Sequence, residues 1–591
     1  MRNRPNKIPE FLNRRYIMIA VFMSMVVALV LRASWLQVIN RDFLQQKGNA
    51  QHIKLVKMHA YRGMVTDRLG EPLAISTPIH AVCLNVKVSK LSNKQYQKLA
   101  SVLGISSWRL KKIKKRVFWK RRQNKEFAYV KRQVRPELAK RVMALKYEGV
   151  YLKREFKRYY PTGSVSAHVV GFTNYKDVGL ERIEIGAEGV ERVYNTELSG
   201  VPGAKRVRKS RDGRFVESVQ RIRTTLHGKP LALSLDHRLQ YLAYKELNLA
   251  LHKHKASSGS LVIMDVRNSE VLAMVNGPSF NPNKTRRPES DKDYYRNRAV
   301  IDPIEPGSTI KPFVVAAALQ SGKMTSRSRI NTAPGKLDLP GKHTIRDVIN
   351  HGNLDLTNIL VKSSNVGASL VAFKLGANRV WNQYKAVGFG RSTRSGYSGE
   401  SGGKLTNYKR WNKAGIASHS IGYSLYVTPL QLAQAYTVFG SGGFLKPVAM
   451  LKQKKPWIRG KRVMSAAVAE KVVRMMEKVV SEKGTGKLAQ VQGYRIAGKT
   501  GTTRIVKVIN KQKVYSVRKH RALFVGMAPA SSPRLVVVVV INEPKSKEYT
   551  GGEVAAPVFA RVMRDALRIL NISPDKMPMS NKTIKIVGGR S

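Results

Sequence analysis

A chain of 591 residues with 42% hydrophobic and 24% charged content has room for two or three globular domains, and that balance excludes a disordered polymer. The formal charge of +70 points to polyanions or anionic surfaces as neighbours and says nothing about the fold. A single cysteine, Cys83, excludes an intramolecular disulfide and a cysteine metal cluster, and its apolar setting Ile79-His-Ala-Val-Cys-Leu84 reads as core.

From Tyr16 to Leu31 no residue is charged, Arg14-Arg15 and Arg32 flank the run, and apolar character resumes over 33–39. A membrane helix needs about 20 such residues, and Arg32 near one end can reach the headgroups with its long stem. No small-x-small cleavage pattern follows the apolar run before Arg32 and Trp35, so an uncleaved anchor over 16–39 is expected rather than a cleaved signal peptide. Arg2, Arg4, Lys7, Arg14 and Arg15 against Glu10 place segment 1–15 in the cytoplasm. The expectation is a single-pass inner-membrane protein whose remaining residues are periplasmic. That placement argues against nucleic acid as partner of the densest basic run, 108–122, which reads as a solvated helix face. Its functional alternative is contact with anionic lipid headgroups or acidic wall polymer.

Residues 45–220 mix short strand and helix patterns with Gly and Pro punctuation and are expected to form one pedestal domain. A second domain is expected over 221–575, followed by a tail, 576–591. Within it Leu231-Ala-Leu-Ser-Leu235 reads as a strand, Asp236 as a helix cap, and 239–251 as a helix. The runs 259–266 and 270–275, separated by Arg267-Asn-Ser, predict a hairpin. The runs 522–526 and 535–541 predict buried strands, and Phe559, Val562, Met563, Ala566, Leu567 and Leu570 share one face of a final helix. Strands at both ends with helices between them imply an α/β (α+β) domain whose sheet draws on distant parts of the chain.

Glu305-Pro-Gly-Ser308-Thr-Ile-Lys311 places a serine at the start of an Ala-rich apolar helix with a lysine nearly one turn on. A serine hydroxyl attacks only when a base takes its proton, and a lysine amine is a base only when neutral. The spacing alone is weak, since it recurs at Ser401/Lys404, Ser516/Lys519 and Ser573/Lys576. Ser363-Ser-Asn365 adds a hydroxyl able to relay a proton and an amide able to hold a substrate amide. Gly498-Lys499-Thr500-Gly501-Thr502 lies on a predicted strand, where Gly501 permits close approach and Lys499, Thr500 and Thr502 can bind a carboxylate. The pair His252-Lys-His254 sits among charged residues with no third ligand in view and reads as solvated.

The three motifs in this order resemble those of penicillin-binding proteins and serine β-lactamases. Arg62-Gly-Met-Val-Thr-Asp-Arg-Leu-Gly, Arg158-Tyr-Tyr-Pro-Thr-Gly163 and Gly186-Ala-Glu-Gly-Val-Glu191 resemble the class B penicillin-binding pedestal. Asn297-Arg298 and Val427-Thr-Pro-Leu-Gln-Leu-Ala433 resemble the division-specific branch, and the likeness runs from the anchor to about residue 574. Two departures bear on cleft shape: Gly422-Tyr-Ser424 stands where the family has Gly-Tyr-Gly, and the segment 503–510 is this chain's own.

The resemblance implies a central antiparallel sheet flanked by helices, preceded by one transmembrane helix and a mixed α/β pedestal. It implies D,D-transpeptidation of peptidoglycan stem peptides for septal wall synthesis, inhibited by β-lactams and requiring no metal or cofactor. In that reading Ser308 is acylated, Lys311 is the base, Ser363 the relay and Asn365 a substrate ligand. Lys499, Thr500, Gly501 and Thr502 form the carboxylate-binding strand, and the N–H groups of Ser308 and Thr502 the oxyanion hole. A membrane glycan polymerase of the FtsW type and other division proteins are implied partners. The alternatives are an elongation-type transpeptidase and a non-catalytic β-lactam sensor or scaffold; a β-lactamase lacks its Glu-x-x-Leu-Asn element here.

Overall fold

The computed structural model describes residues 11–44, 53–58, 60–178, 181–209, 215–284, 292–341, 343–454, 460–509 and 512–576. Most of segment 1–15 and all but one residue of the tail 576–591 lie outside them. The chain forms two compact units that interleave in sequence. One comprises Met1–Tyr61, Thr77–Lys157 and Gly200–His227, and the other Arg62–Ser76, Arg158–Ser199 and Gly228–Ser591. Residues 45–220, expected as one pedestal, contribute to both.

Near the N-terminus α1 (Phe11–Ser34) continues as a π-helical turn, Trp35–Ile39. The apolar span Asn13–Ile39 has 27 residues and buries none of them against the rest of the described chain. At 1.5 Å per residue that is about 40 Å, more than the ~30 Å of a bilayer's hydrocarbon core.

In the first unit, residues 80–85 of β2 (Pro72–Asn85) pair antiparallel with β3 (Phe127–Val134). A separate three-stranded sheet joins β1 (Ile53–Met58) to β4 (Gly203–Lys209) and β5 (Phe215–Arg223). Against the β2–β3 pair pack α2 (Asn93–Leu103), α3 (Ser107–Arg122) and α4 (Pro136–Ala144), through Val82, Leu84, Leu99, Ile113, Val117 and Val142. α2 begins at a Ser92/Gln95 capping box and ends at Gly104, whose φ of 59° suits only a residue without Cβ strain. Cys83 is core, as expected, and burial pushes its thiol up to about 12.

The second unit is built on a five-stranded antiparallel sheet. It comprises β6 (Ser258–Asp265), β7 (Val271–Gly277), β8 (Ala497–Ile509), β9 (Gln512–Ala528) and β10 (Leu535–Asn542), in the order β7-β6-β10-β9-β8. The unbroken valine run of β10 is explained by burial on both faces. Val537, Val539 and Ile541 join a core with α5 (His237–Lys253) and the C-terminal helix, while Val536, Val538 and Val540 join α6 (Lys311–Gln320), α7 (Asn365–Leu375) and α8 (Pro429–Gly440). The final helix, α9 (Ala556–Ile569), buries Phe559, Val562, Met563, Ala566 and Leu567 as its periodicity predicts.

Two expectations fail, each because of distant chain. The strand at 231–235 is regular only over Leu231–Ala232; beyond it the N–H groups of Leu233, Ser234 and Asp236 donate to Thr66 O, Met450 O and Leu272 O, on three different segments. His254 is buried rather than solvated. Its Nδ1 lies 3.0 Å from Ser546 Oγ and 3.5 Å from a Glu548 oxygen, and burial with Lys253 beside it lowers its pKa.

The three pedestal motifs converge in the second unit on one buried carboxylate. Arg62 Nε and Arg158 Nε donate to opposite oxygens of Glu191 at 2.5 and 2.6 Å, and Glu191 is wholly inaccessible. Arg62 also reaches Glu191 O, Asn195 Oδ1 and Ser199 Oγ. Removing that one charge strands two guanidinium groups away from water, which costs about 3–5 kcal/mol. Glu191→Gln is therefore expected to lower unfolding free energy by about that amount, read as a reduced midpoint in urea with unchanged slope.

Candidate active site

Ser308 lies in a 3₁₀ turn, Gly307–Ile310, and the α-helix starts only at Lys311, so the serine precedes α6 rather than opening it. α6 is buried on every side through residue 318, which carries Lys311 into the interior. The turn is pressed onto β8. A Cβ on Gly501 would meet Thr309 Cγ2 at 2.9 Å and Pro306 O at 3.1 Å, and one on Gly307 (φ 54°) would meet Thr503 Cγ2 at 2.4 Å. From the other side Tyr436 of α8 donates its hydroxyl to Thr309 O at 2.6 Å.

Lys311 and Lys499 are both fully inaccessible, and both reach Ser363. Lys311 Nζ donates to Ser363 O (2.5 Å) and Asn365 Oδ1 (2.7 Å), and lies 3.4 Å from Ser363 Oγ. Lys499 Nζ donates to Ser363 Oγ at 2.9 Å and approaches Thr500 O and Oγ1 at 3.2 and 3.4 Å. Ser363 holds a left-handed φ of 55°, a strained state for serine that lets its carbonyl and hydroxyl face the same ammonium. Burial pushes the Lys311 amine down to about 7, with the Asp347 carboxylate pulling it back up. Burial, then the neighbouring Lys311, pushes Lys499 well below its ordinary value. Thr500 Oγ1 lies 2.9 Å from Thr485 Oγ1, and Thr502 Oγ1 accepts from Gly551 N. The three motifs thus meet around one hydroxyl, and a buried, partly neutral amine beside a serine turn suits acyl transfer.

The family model described as penicillin binding protein transpeptidase domain matches residues 259–564, and the penicillin-binding protein dimerisation domain matches 57–233. Escherichia coli K12 peptidoglycan D,D-transpeptidase FtsI is 39% identical over all of this chain and 98% of its own length. The probable peptidoglycan D,D-transpeptidase PenA of Neisseria meningitidis is 38% identical, over 94% of this chain and 92% of its own. The chain is a class B penicillin-binding protein. Among solved structures, the apo transpeptidase domain of Burkholderia pseudomallei penicillin-binding protein 3 is 38% identical, with a TM-score of 0.53 over 58% of this chain and 98% of that one.

Two parts of this penicillin-binding protein's site escape a sequence reading. The first is Asp347. Its carboxylate accepts from Asn365 N (2.5 Å), Val366 N (3.1 Å) and Ser364 Oγ (2.5 Å), so it caps α7 and fixes the turn that bears Ser363. No spacing rule links a loop aspartate to a helix 18 residues on; only the fold does. The second is Glu305, buried behind the Ser308 turn. It accepts from Ser424 N and Tyr515 O–H, both at 3.0 Å, and burial raises its pKa against those donors. Here the two family departures acquire a structural meaning. Ser424 takes the left-handed φ (62°) natural to the family's glycine, and Gly422 must stay glycine because a Cβ would sit 2.1 Å from Gly307 O. The hairpin that begins with the chain's own segment returns Tyr515 to Glu305.

Asp347→Asn keeps an acceptor for the helix cap but removes the charge that favours protonated Lys311. The expected result is a pH profile of β-lactam acylation whose midpoint moves to lower pH than wild type, measured by stopped-flow acylation at matched folded fraction.

Proposed function

We propose that the protein, a peptidoglycan D,D-transpeptidase, joins stem peptides through an acyl-enzyme on Ser308, for septal wall synthesis. The observation that carries this assignment is the amine of Lys311, buried one helical turn from Ser308 with its pKa brought down to about 7. Ser308 Oγ attacks the carbonyl between the terminal D-Ala residues as Lys311 takes its proton. The N–H groups of Ser308 and Thr502 hold the oxyanion. The C–N bond breaks, the proton passes by way of Lys311 and Ser363 to the leaving amine, and D-Ala departs. An amine from a second stem then attacks the ester, its proton returns to Ser308, and the new amide leaves. Asn365 positions the stem's amide, and the Thr500 and Thr502 hydroxyls with the Lys499 amine hold the terminal carboxylate by hydrogen bonds. A β-lactam enters the same path and stops at the ester.

The apolar span Asn13–Ile39 supports a membrane anchor, with the basic N-terminus cytoplasmic and the reaction periplasmic. Docking to a membrane glycan polymerase of the FtsW type and to other division proteins is carried by family likeness. Depletion tests the division assignment: filamentous cells support it, and rounded cells would assign the protein to elongation instead.

Mass spectrometry after penicillin treatment is expected to find the acyl group on the peptide containing Ser308; a stable adduct on another serine sinks the assignment. Lys311→Arg keeps the charge but has no neutral form at working pH. Its second-order acylation rate is expected to fall by at least about 10²-fold with unchanged thermal melting. In the wild type the neutral fraction of Lys311 grows as pH rises, so the rate should climb through about pH 7 and level off above it.

A further inference from the structure

Nine of the 16 residues of α3 are Lys or Arg and none is acidic. The helix is held to its unit by one side only. Ile113 and Val117 are its buried residues, Lys120 donates to Phe127 O, and Arg121 donates to Val86 O and Ser89 O. The opposite side carries Trp108, Lys112, Lys115, Phe118, Trp119 and Arg122, which 3.6 residues per turn gathers into one outward stripe. The aromatics there are 62%, 56% and 50% exposed for Trp108, Phe118 and Trp119. Cations stand over two of them: Lys112 Nζ lies 3.9 Å from the centre of the Trp108 ring and the Arg122 guanidinium 5.4 Å from that of Phe118. Among the described residues no cation of this helix has a carboxylate partner.

A face that only met water would need the charges but not three large aromatics. Rings that settle at headgroup depth, interleaved with Lys and Arg, are the signature of a helix lying in a lipid interface. The chain itself brings such a surface close. Only residues 40–52 separate the end of the apolar span from β1 of the same unit, a contour of at most about 50 Å. We propose that the outward face of α3 docks on an anionic phospholipid surface, giving this protein a second, electrostatic membrane contact beside its anchor. The contact is reversible and salt-sensitive, since it draws on lipid charge within a Debye length.

The test uses the full chain in lipid nanodiscs with a nitroxide on Trp119→Cys. Cys83 is buried with its thiol pushed up to about 12, so the label goes to the introduced residue. In discs with about a third phosphatidylglycerol, label collisions with oxygen relative to aqueous nickel complex should rise about twofold or more over phosphatidylcholine discs, and high salt should reverse the rise. Lys112→Glu, Lys115→Glu and Arg122→Glu together should abolish it. Gln at the same three positions should give an intermediate value, with melting temperature and penicillin attachment at Ser308 confirming folding in each case. Equal accessibility in both discs overturns the proposal, as does a response that survives charge reversal. The same shift induced by a soluble acidic glycan in phosphatidylcholine discs would assign the face to wall polymer and overturn it as well.

Discussion

Two ammonium groups are held out of water within reach of one hydroxyl, and the rest of the site is arranged around that constraint. Lys311 and Lys499 are both inaccessible and both approach Ser363 Oγ. Two like charges in a dry space cannot both persist, so the pair shares its protons unequally and one amine is available as a base. Such a cluster has the chemistry of a general base held close to hydroxyl groups.

Burying lysine demands surroundings that would otherwise hold a hydrocarbon side chain. α6 meets this with Pro312, Phe313, Val314 and a run of alanines buried on all sides. β8 meets it as the edge strand of a sheet covered on both faces, so its motif faces the Ser308 turn instead of another strand. Glycine at 307, 422 and 501 lets three backbones touch where any Cβ would intrude. Around this contact lie the polar groups that keep the turn in place, Glu305 behind Ser308 and Asp347 beneath Ser363.

How far the sequence reading reached depended on how local the signal was. The 258–277 hairpin, the valine strand β10 and α9 were legible because their burial pattern repeats at period 2 or 3.6 within a few residues. The stretch after Leu231 and the setting of His254 were not, because each is decided by residues far along the chain, 36 to 292 positions away. The interleaving of the two units was equally hidden. Arg62, Arg158 and Glu191 each mark a recognisable motif, yet nothing in their spacing says that they meet in one ion cluster.

The sequence by itself determined the reagents: a serine and a lysine nearly one turn apart, a hydroxyl and amide pair, a lysine on a glycine-containing strand, and an apolar span long enough for a membrane. It also determined the sheet and helix patterns that carry them. Only the tertiary structure decided that both lysines are pushed toward the neutral form, which aspartate fixes the Ser363 turn, and that Ser424 takes a left-handed φ. The physical reason is the range of the forces involved. Periodicity and capping are set by neighbours in the chain, whereas a shifted pKa is set by desolvation and by charges a few ångströms away, brought there by segments 36 to 188 residues apart, from Asp347 to Lys311 and from Lys311 to Lys499.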